Sequence, residues 1–231
     1  MKLFVLAGGF GTRIQSILND VPKILAPVKE TNLLSMQIAY WMKQGLNDIV
    51  FLLHHKSEII VDFLKKEKSK YNSQISLSWV IEDLAMGTGG AIKNAIHETH
   101  FCGDFVLVNG DTWLNGNLSD LIKSKSPSIG IVEVSDLSRF GKVIFNSKNR
   151  VIAFEEKKPE FIKGWIYAGI AHLNTKLFDA YLIENFSLEK IFFEKLINQQ
   201  NLSAIPLKTD FIDIGIPSDY LRFCLLNHCE T

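Results

Sequence analysis

The sequence predicts an α/β fold with a mainly parallel central sheet. Three observations carry that reading. Short continuous apolar runs recur along the first half of the chain. Segments with apolar residues at helical spacing separate them. After about residue 128 the pattern changes, and an antiparallel hairpin replaces the alternation.

The elements follow in order. Lys2–Leu6 reads as a buried strand. Leu33–Gln44 carries Leu33, Leu34, Ile38, Trp41 and Met42 on one helical face. Asp48–Leu53 is a second buried strand. Ser57 is positioned to cap a helix reaching about Lys68, with Ile59, Ile60, Phe63 and Leu64 on one side. Ile75–Ile81 and Phe105–Asn109 are further strands, and a helix begins at Thr88 and runs to about Ala95. Apolar strands joined by helices imply a parallel sheet covered on both faces. Beyond it, Ile129–Val134 is a strand. Phe140–Phe145 and Arg150–Phe154 form a hairpin around Asn146-Ser147-Lys148-Asn149. Trp165–Leu173 is a strand, Leu177–Ile183 and Leu188–Ile197 are helices, and Pro217 starts a last helix to Leu226.

The chain has 231 residues, 47% hydrophobic and 22% charged, which suits a soluble domain with a sizeable core. Lys plus Arg and Asp plus Glu both number 25. A nucleic-acid partner is not expected, because such binders carry a basic excess. No apolar run reaches the roughly 18 residues of a membrane helix, and the first residues lack a signal-peptide pattern. The expectation is a cytoplasmic protein with no membrane contact. Cys102, Cys224 and Cys229 form no CxxC pair and read as reduced thiols. The run Lys65–Lys70 reads as a solvated helix end, and His54-His55, with no further ligand at metal spacing, as structural or solvent-exposed.

Leu6-Ala7-Gly8-Gly9-Phe10-Gly11-Thr12-Arg13 follows the first strand. It lacks the GK[ST] ending of a Walker loop and the third glycine of a dinucleotide fingerprint. Backbone N–H groups beside a guanidinium suit a triphosphate, because the guanidinium forks onto phosphate oxygens. Pro22 fixes the backbone before Lys23, which presents a second cation. Gly87-Thr88-Gly89-Gly90 opens a helix and offers free N–H groups, unless the glycines serve tight packing. Asp111 follows a buried strand through Asn109-Gly110, where a carboxylate suits Mg²⁺ beside phosphates. Asp213 lies between apolar residues, where an unpaired charge is costly, and reads as a second Mg²⁺ carboxylate. Phe154-Glu155-Glu156-Lys157-Lys158-Pro159 ends the hairpin with mixed charge.

Together these motifs resemble the sugar-nucleotide pyrophosphorylases, that is, the sugar-1-phosphate nucleotidylyltransferases. The matching elements, in order, are Gly8–Arg13, Pro22-Lys23, Gly87–Ala91, Gly110-Asp111, Glu156-Lys157, Ala168-Gly169 and Asp213–Pro217. The resemblance covers nearly the whole chain. It implies a Rossmann-like three-layer sandwich, with a small β-hairpin region at the sugar-binding side. It also implies a single nucleotidyltransferase domain over 1–231, with a nucleotide-binding half (1–127) and a sugar-binding half (128–231). By resemblance, Leu6, Ala7, Gly8, Gly9, Gly11, Thr12 and Arg13 hold the nucleotide, and Glu82, Gly87, Thr88 and Gly89 lie near base and ribose. Arg13 and Lys23 are the catalytic pair. Asp111 and Asp213 bind Mg²⁺, while Asn109, Gly141, Glu156, Lys157, Tyr167 and Gly169 meet the sugar phosphate. Tyr167 departs from the family, which commonly has Asn before Ala-Gly, and so marks an altered pocket.

The implied reaction transfers a nucleoside monophosphate from an NTP to a sugar 1-phosphate and releases pyrophosphate. Within the family the chain is most similar to guanylyltransferases for manno-configured sugars, notably the D-glycero-D-manno-heptose 1-phosphate type. That implies GTP as the favoured nucleotide and GDP-heptose for surface polysaccharide, with a homodimer as one option for assembly. The alternatives are a mannose-1-phosphate guanylyltransferase, a uridylyltransferase for an amino-sugar phosphate, a cytidylyltransferase for a polyol phosphate, a nucleotide-sensing domain without activity, and a Rossmann dehydrogenase.

Overall fold

The computed structural model describes residues 1–71, 73–157, 162–182 and 184–227. Its elements are β1 (Lys2–Leu6), α1 (Gln15–Leu18), β2 (Pro27–Val28), β3 (Thr31–Asn32), α2 (Leu33–Lys43), β4 (Asp48–Leu53), α3 (Ser57–Ser69), β5 (Ser76–Ile81), α4 (Gly87–Thr99), β6 (Asp104–Asn109), β7 (Thr112–Leu114) and α5 (Ser119–Ile122). There follow β8 (Ser128–Val134), β9 (Lys142–Phe145), β10 (Val151–Glu155), β11 (Gly164–Asn174), α6 (Glu194–Asn198), β12 (Ser203–Pro206), β13 (Phe211–Asp213) and α7 (Pro217–Leu226). The chain divides into two compact units. The first comprises Met1–Ala85, Asn109–Asn115 and Asp210–Thr231, the second Met86–Val108 and Gly116–Thr209.

In the first unit β4 pairs in parallel with β1 and β5, with Phe4 opposite Val50 and Phe51 opposite Trp79. Leu3, Phe4, Val5 and Ile49 through Leu53 are buried, which is why these strands are apolar without alternation. Lys2 and Asp48 pair at 2.7 Å across the start of the register. β13 pairs antiparallel with β7, placing Asp213 opposite Thr112. A compact cluster of Ile14, Leu18, Val28, Leu33, Ile212, Ile214 and Phe223 ties α1, α2, β13 and α7 together. Asn32 caps α2 by accepting from the Ser35 N–H at 2.9 Å.

In the second unit β8 pairs in parallel with β12 and antiparallel with β11, and β11 pairs antiparallel with β6. β9 and β10 form the expected hairpin, with Phe154 opposite Val143. The register of β11 against β8 shifts between Tyr167 and Ala171. Gly169 takes φ +68 inside that stretch, a conformation that glycine adopts without a Cβ penalty.

The α/β class, the parallel strands β1, β4 and β5, the hairpin and α7 all agree with the sequence reading. Several local expectations are corrected. Leu177–Ile183 is not a helix: a 3₁₀ turn over Thr175–Phe178 stops there, and Ile183 lies outside the described residues. The chain after it is drawn away, because the Phe186 N–H donates to the Met86 carbonyl at 3.1 Å. Leu188–Ile197 begins as a π-helix, Leu188–Phe193, before α6. Ser57 is the first residue of α3 rather than its cap. Lys56 occupies the cap with φ 54 and no side-chain capping bond. The strands β7, β12 and β13 have no sequence signal, being three or four residues long. Lys158, Pro159 and Cys229 also lie outside the described residues, while Cys102 and Cys224 are free thiols.

Candidate functional site

A cleft of about 280 Å³ opens at the end of β1 in the first unit. Leu6, Ala7, Gly9, Gly11, Thr12, Arg13, Lys23 and Asp111 from the sequence-assigned set line it. Gly11 has φ +62, which turns the chain into the 3₁₀ turn carrying Arg13. A Cβ on Gly11 would lie 3.2 Å from Lys23 Cβ, so the loop packs closely on the lysine. Lys23 itself opens a 3₁₀ turn directly after Pro22.

Lys23 is the electrostatic hub. Its Nζ lies 2.6 Å from Asp111 Oδ2 and 4.0 Å from Asp213 Oδ1. The Ile214 N–H donates to the Asp111 carbonyl at 2.9 Å, which fixes the two acidic segments side by side. A Cβ on Gly215 would lie 3.0 Å from both Asp213 carboxylate oxygens and 3.2 Å from Arg13 Nη2. The glycine thus leaves room for the guanidinium beside the carboxylate. Arg13, Lys23 and Asp111 line the cleft, and Asp213 lies beside them outside its lining.

The carboxylates fit a small hard cation. An oxygen of each lies within 4.0 Å of the same ammonium, and Mg²⁺ needs only one or two carboxylates where phosphates supply other ligands. Among the described residues there is no group of three or more His, Cys, Asp or Glu at metal-binding distance.

The sequence-assigned residues outside the cleft lining have plain positions. Gly8 backs onto His54, Asn109 ends the strand before Gly110, and Glu82 is 8% exposed. The Glu82 N–H donates to the Leu53 carbonyl at 2.9 Å, and the Glu82 carbonyl lies 3.0 Å from His54 Nδ1. Five further cleft residues, Phe10, Gln15, Ile24, His55 and Ile60, have no part in the sequence assignment. Gln15 Oε1 is buried with no hydrogen-bond partner among the described residues. Its place two residues past Arg13 is the only signal that marks it. Of the histidine pair, His54 is structural and His55 stands on the cleft wall.

The second unit holds the remaining assigned residues. Gly87, Thr88 and Gly89 open α4, where the segment before the π-helix packs on them. The Gly89 N–H donates to the Phe186 carbonyl at 2.9 Å, and Thr88 Oγ1 accepts from the Leu188 N–H at 2.9 Å. Gly141 precedes β9, and Glu156 and the exposed Lys157 follow β10. Glu156 Oε1 pairs with Lys190 Nζ at 3.3 Å. The Tyr167 ring meets Phe193 edge-on at 5.5 Å, and its hydroxyl is buried with no partner among the described residues. Burial, then the nearby Glu189, pushes that hydroxyl well above the usual phenol range. Glu189 is exposed as a residue, but local desolvation of its carboxyl and then Glu156 push that group up, with Lys190 opposing them.

Comparison with known proteins adds four likenesses. A family model described as nucleotidyl transferase matches residues 2–226. The chain is 34% identical over 231 residues to D-glycero-alpha-D-manno-heptose 1-phosphate guanylyltransferase of Campylobacter jejuni subsp. jejuni, covering 98% of this chain and 100% of the relative. It is 32% identical over 228 residues to the enzyme of the same name from Aneurinibacillus thermoaerophilus, covering 96% of each. Among solved structures, HddC from Yersinia pseudotuberculosis complexed with GMP-PN is 30% identical, with a TM-score of 0.82 over 98% of this chain and 99% of that one.

Proposed function

Because the chain belongs to the nucleotidyl transferase family, we propose that it transfers GMP from GTP to D-glycero-alpha-D-manno-heptose 1-phosphate, releasing pyrophosphate. The observation that carries this reading is the near end-to-end likeness to two heptose 1-phosphate guanylyltransferases. The cleft lined by Arg13, Lys23 and Asp111, with Asp213 beside Lys23, supports it, because two cations there suit a triphosphate. The chain acts in this reading as one nucleotidyltransferase domain over 1–231. Its product is an activated sugar for surface polysaccharide such as capsule. The reading places the enzyme in the cytoplasm. Among the described residues no helix is long and apolar enough to cross a membrane.

The chemistry follows from charge. A phosphate oxygen of the sugar 1-phosphate attacks the α-phosphorus of GTP. A new P–O bond forms, and the bond from the α-phosphorus to the bridging oxygen breaks, leaving pyrophosphate. The attacking oxygen is already ionised at neutral pH, so no general base is required. The barrier lies in bringing two anions together and in the charge on the leaving group. In this reading the N–H groups of Gly8 to Thr12 cradle the triphosphate, Arg13 follows charge onto the pyrophosphate, and Lys23 neutralises the reacting phosphates. Asp111 and Asp213 hold Mg²⁺, which supplies further charge neutralisation when bound. Glu82, Gly87, Thr88 and Gly89 serve base and ribose. Asn109, Gly141, Glu156, Tyr167 and Gly169 serve the sugar, and Lys157 its phosphate.

A base-by-sugar matrix of pyrophosphate release tests the reading. GTP with heptose 1-phosphate should give the highest kcat/KM, and mannose 1-phosphate with the same nucleotide should follow. Higher turnover with UTP or CTP would overturn the guanylyl assignment. No release with any pair would favour a nucleotide sensor.

A further inference from the structure

The turn after β4 grips the glycine-loop segment at two places within the first unit. At the first, a Cβ on Gly8 would lie 3.1 Å from His54 Cβ, and the His55 N–H points to the Gly8 carbonyl at 3.4 Å. The His55 ring lies against Phe10 with centroids 4.9 Å apart and planes tilted 37°, while the His54 ring meets Phe10 edge-on at 5.8 Å. Phe10 is 53% exposed, so this contact belongs to the loop and not to a core.

At the second place, Lys56 Nζ donates to the Asp20 carbonyl at 2.6 Å and to Asp20 Oδ1 at 3.2 Å. The lysine side chain is only 19% exposed, so it is held more firmly than a free surface lysine. Both ends of this bridge sit in left-handed backbone. Asn19 has φ 44, Asp20 φ 71 and Lys56 φ 54. Such conformations are unfavourable for most non-glycine residues, least so for Asn and Asp, and they persist where surrounding contacts over-determine them. Asn19 and Asp20 lie between Arg13 and Lys23, one turn of helix beyond the former and just before Pro22. The hydrogen bond to a backbone carbonyl therefore fixes the path of the chain that separates the two cations.

We infer that Lys56 and His55 are positioning residues for the nucleotide cleft. Lys56 clamps the Asp20 end of the Gly8–Lys23 segment and His55 steadies the Phe10 end, so that one turn sets the spacing of Arg13 and Lys23. This rests on the triphosphate reading of that cleft. Neither residue needs to touch the reacting atoms to do this.

The test measures steady-state kinetics and thermal unfolding on the full chain carrying Lys56→Met, Lys56→Arg, Asp20→Ala or Phe10→Ala. Lys56→Met should raise KM for GTP about fivefold to tenfold, the scale of one charge-assisted hydrogen bond. KM for the sugar 1-phosphate should stay within about twofold, and Lys56→Arg should restore most of the GTP affinity. Asp20→Ala keeps the carbonyl acceptor and should have the smaller effect; Phe10→Ala should act on KM for GTP alone. Should Lys56→Met not fold, the Asp20→Ala and Phe10→Ala values decide. Unchanged KM for GTP in a folded Lys56→Met or in Asp20→Ala and Phe10→Ala together, or equal rises in both KM values, overturns the inference. Wild-type protein that binds no GTP in calorimetry would instead overturn the triphosphate reading, and the inference with it.

Discussion

Lys23 and Asp111 form a close ion pair, 2.6 Å from Nζ to Oδ2, and the same ammonium reaches Asp213 at 4.0 Å. The lysine side chain is 12% exposed and the Asp111 side chain 40%. The pair is therefore shielded on the lysine side and open on the aspartate side. Such an arrangement holds the lysine beside the cleft while leaving carboxylate oxygens facing outward.

Asp111→Asn removes one charge and one hard oxygen donor from that wall. Turnover should fall by about 10²-fold or more, a loss of roughly 3 kcal/mol of transition-state stabilisation. The check is pyrophosphate release against Mg²⁺ concentration. Near-normal turnover at ordinary Mg²⁺ would remove Asp111 from the metal assignment.

Gly215→Ala tests the crowding of Arg13 and Asp213. The new Cβ would sit 3.0 Å from both Asp213 oxygens and 3.2 Å from Arg13 Nη2, so the charged groups must shift. A displacement of under an ångström at such a centre should lower kcat by about tenfold. The thermal midpoint should hardly move, because the shift falls on side chains beside a cleft. Scanning calorimetry beside kinetics separates the two effects.

Gly89→Ala acts on packing inside the second unit. The added Cβ would lie 2.1 Å from Phe186 Cε2, far inside contact distance, and the ring is stacked on Tyr181 at 4.9 Å. Overpacking of this kind costs about 1–3 kcal/mol. For a chain of this size each kcal/mol moves the midpoint by about 2–4 °C. An unchanged midpoint would mean that the Phe186 ring moves freely.

Tyr167→Phe removes a buried hydroxyl with no partner among the described residues. An unsatisfied buried polar group costs about 1–3 kcal/mol, so the variant should be as stable as the parent or more so. Denaturant unfolding decides. A clear loss of stability would reveal a hydrogen bond to that hydroxyl.

Glu189 gives stability a pH dependence. Desolvation of the carboxyl, then Glu156, raises it above the ordinary value of 4.5 although the residue as a whole is exposed, so the folded chain binds this proton only a little more tightly than the unfolded chain. Its contribution is present in full below pH 4.5 and is lost as pH rises through the folded value. Glu189→Gln keeps the shape without the charge. It should therefore raise the thermal midpoint more at pH 7 than at pH 4, and an equal change at both would contradict the shift.

The sequence by itself determined the strands β1 and β4, the hairpin, and α7, because burial on both faces or strict alternation leaves a pattern in consecutive residues. It also determined the run from Gly8 to Arg13, since glycines beside a cation have few other uses. It did not reveal β7 and β13, whose two short segments lie almost 100 residues apart and gain stability only by pairing with each other. Nor did it reveal that Phe186 packs into the glycines of α4, or that Phe10, Gln15 and His55 line the cleft. The convergence of Asp111, Asp213, Arg13 and Lys23 was likewise decided by tertiary structure. Residue type fixes which charges a chain carries, but only the paired strands, the left-handed turns and the missing Cβ of Gly215 bring four of them close together at the cleft.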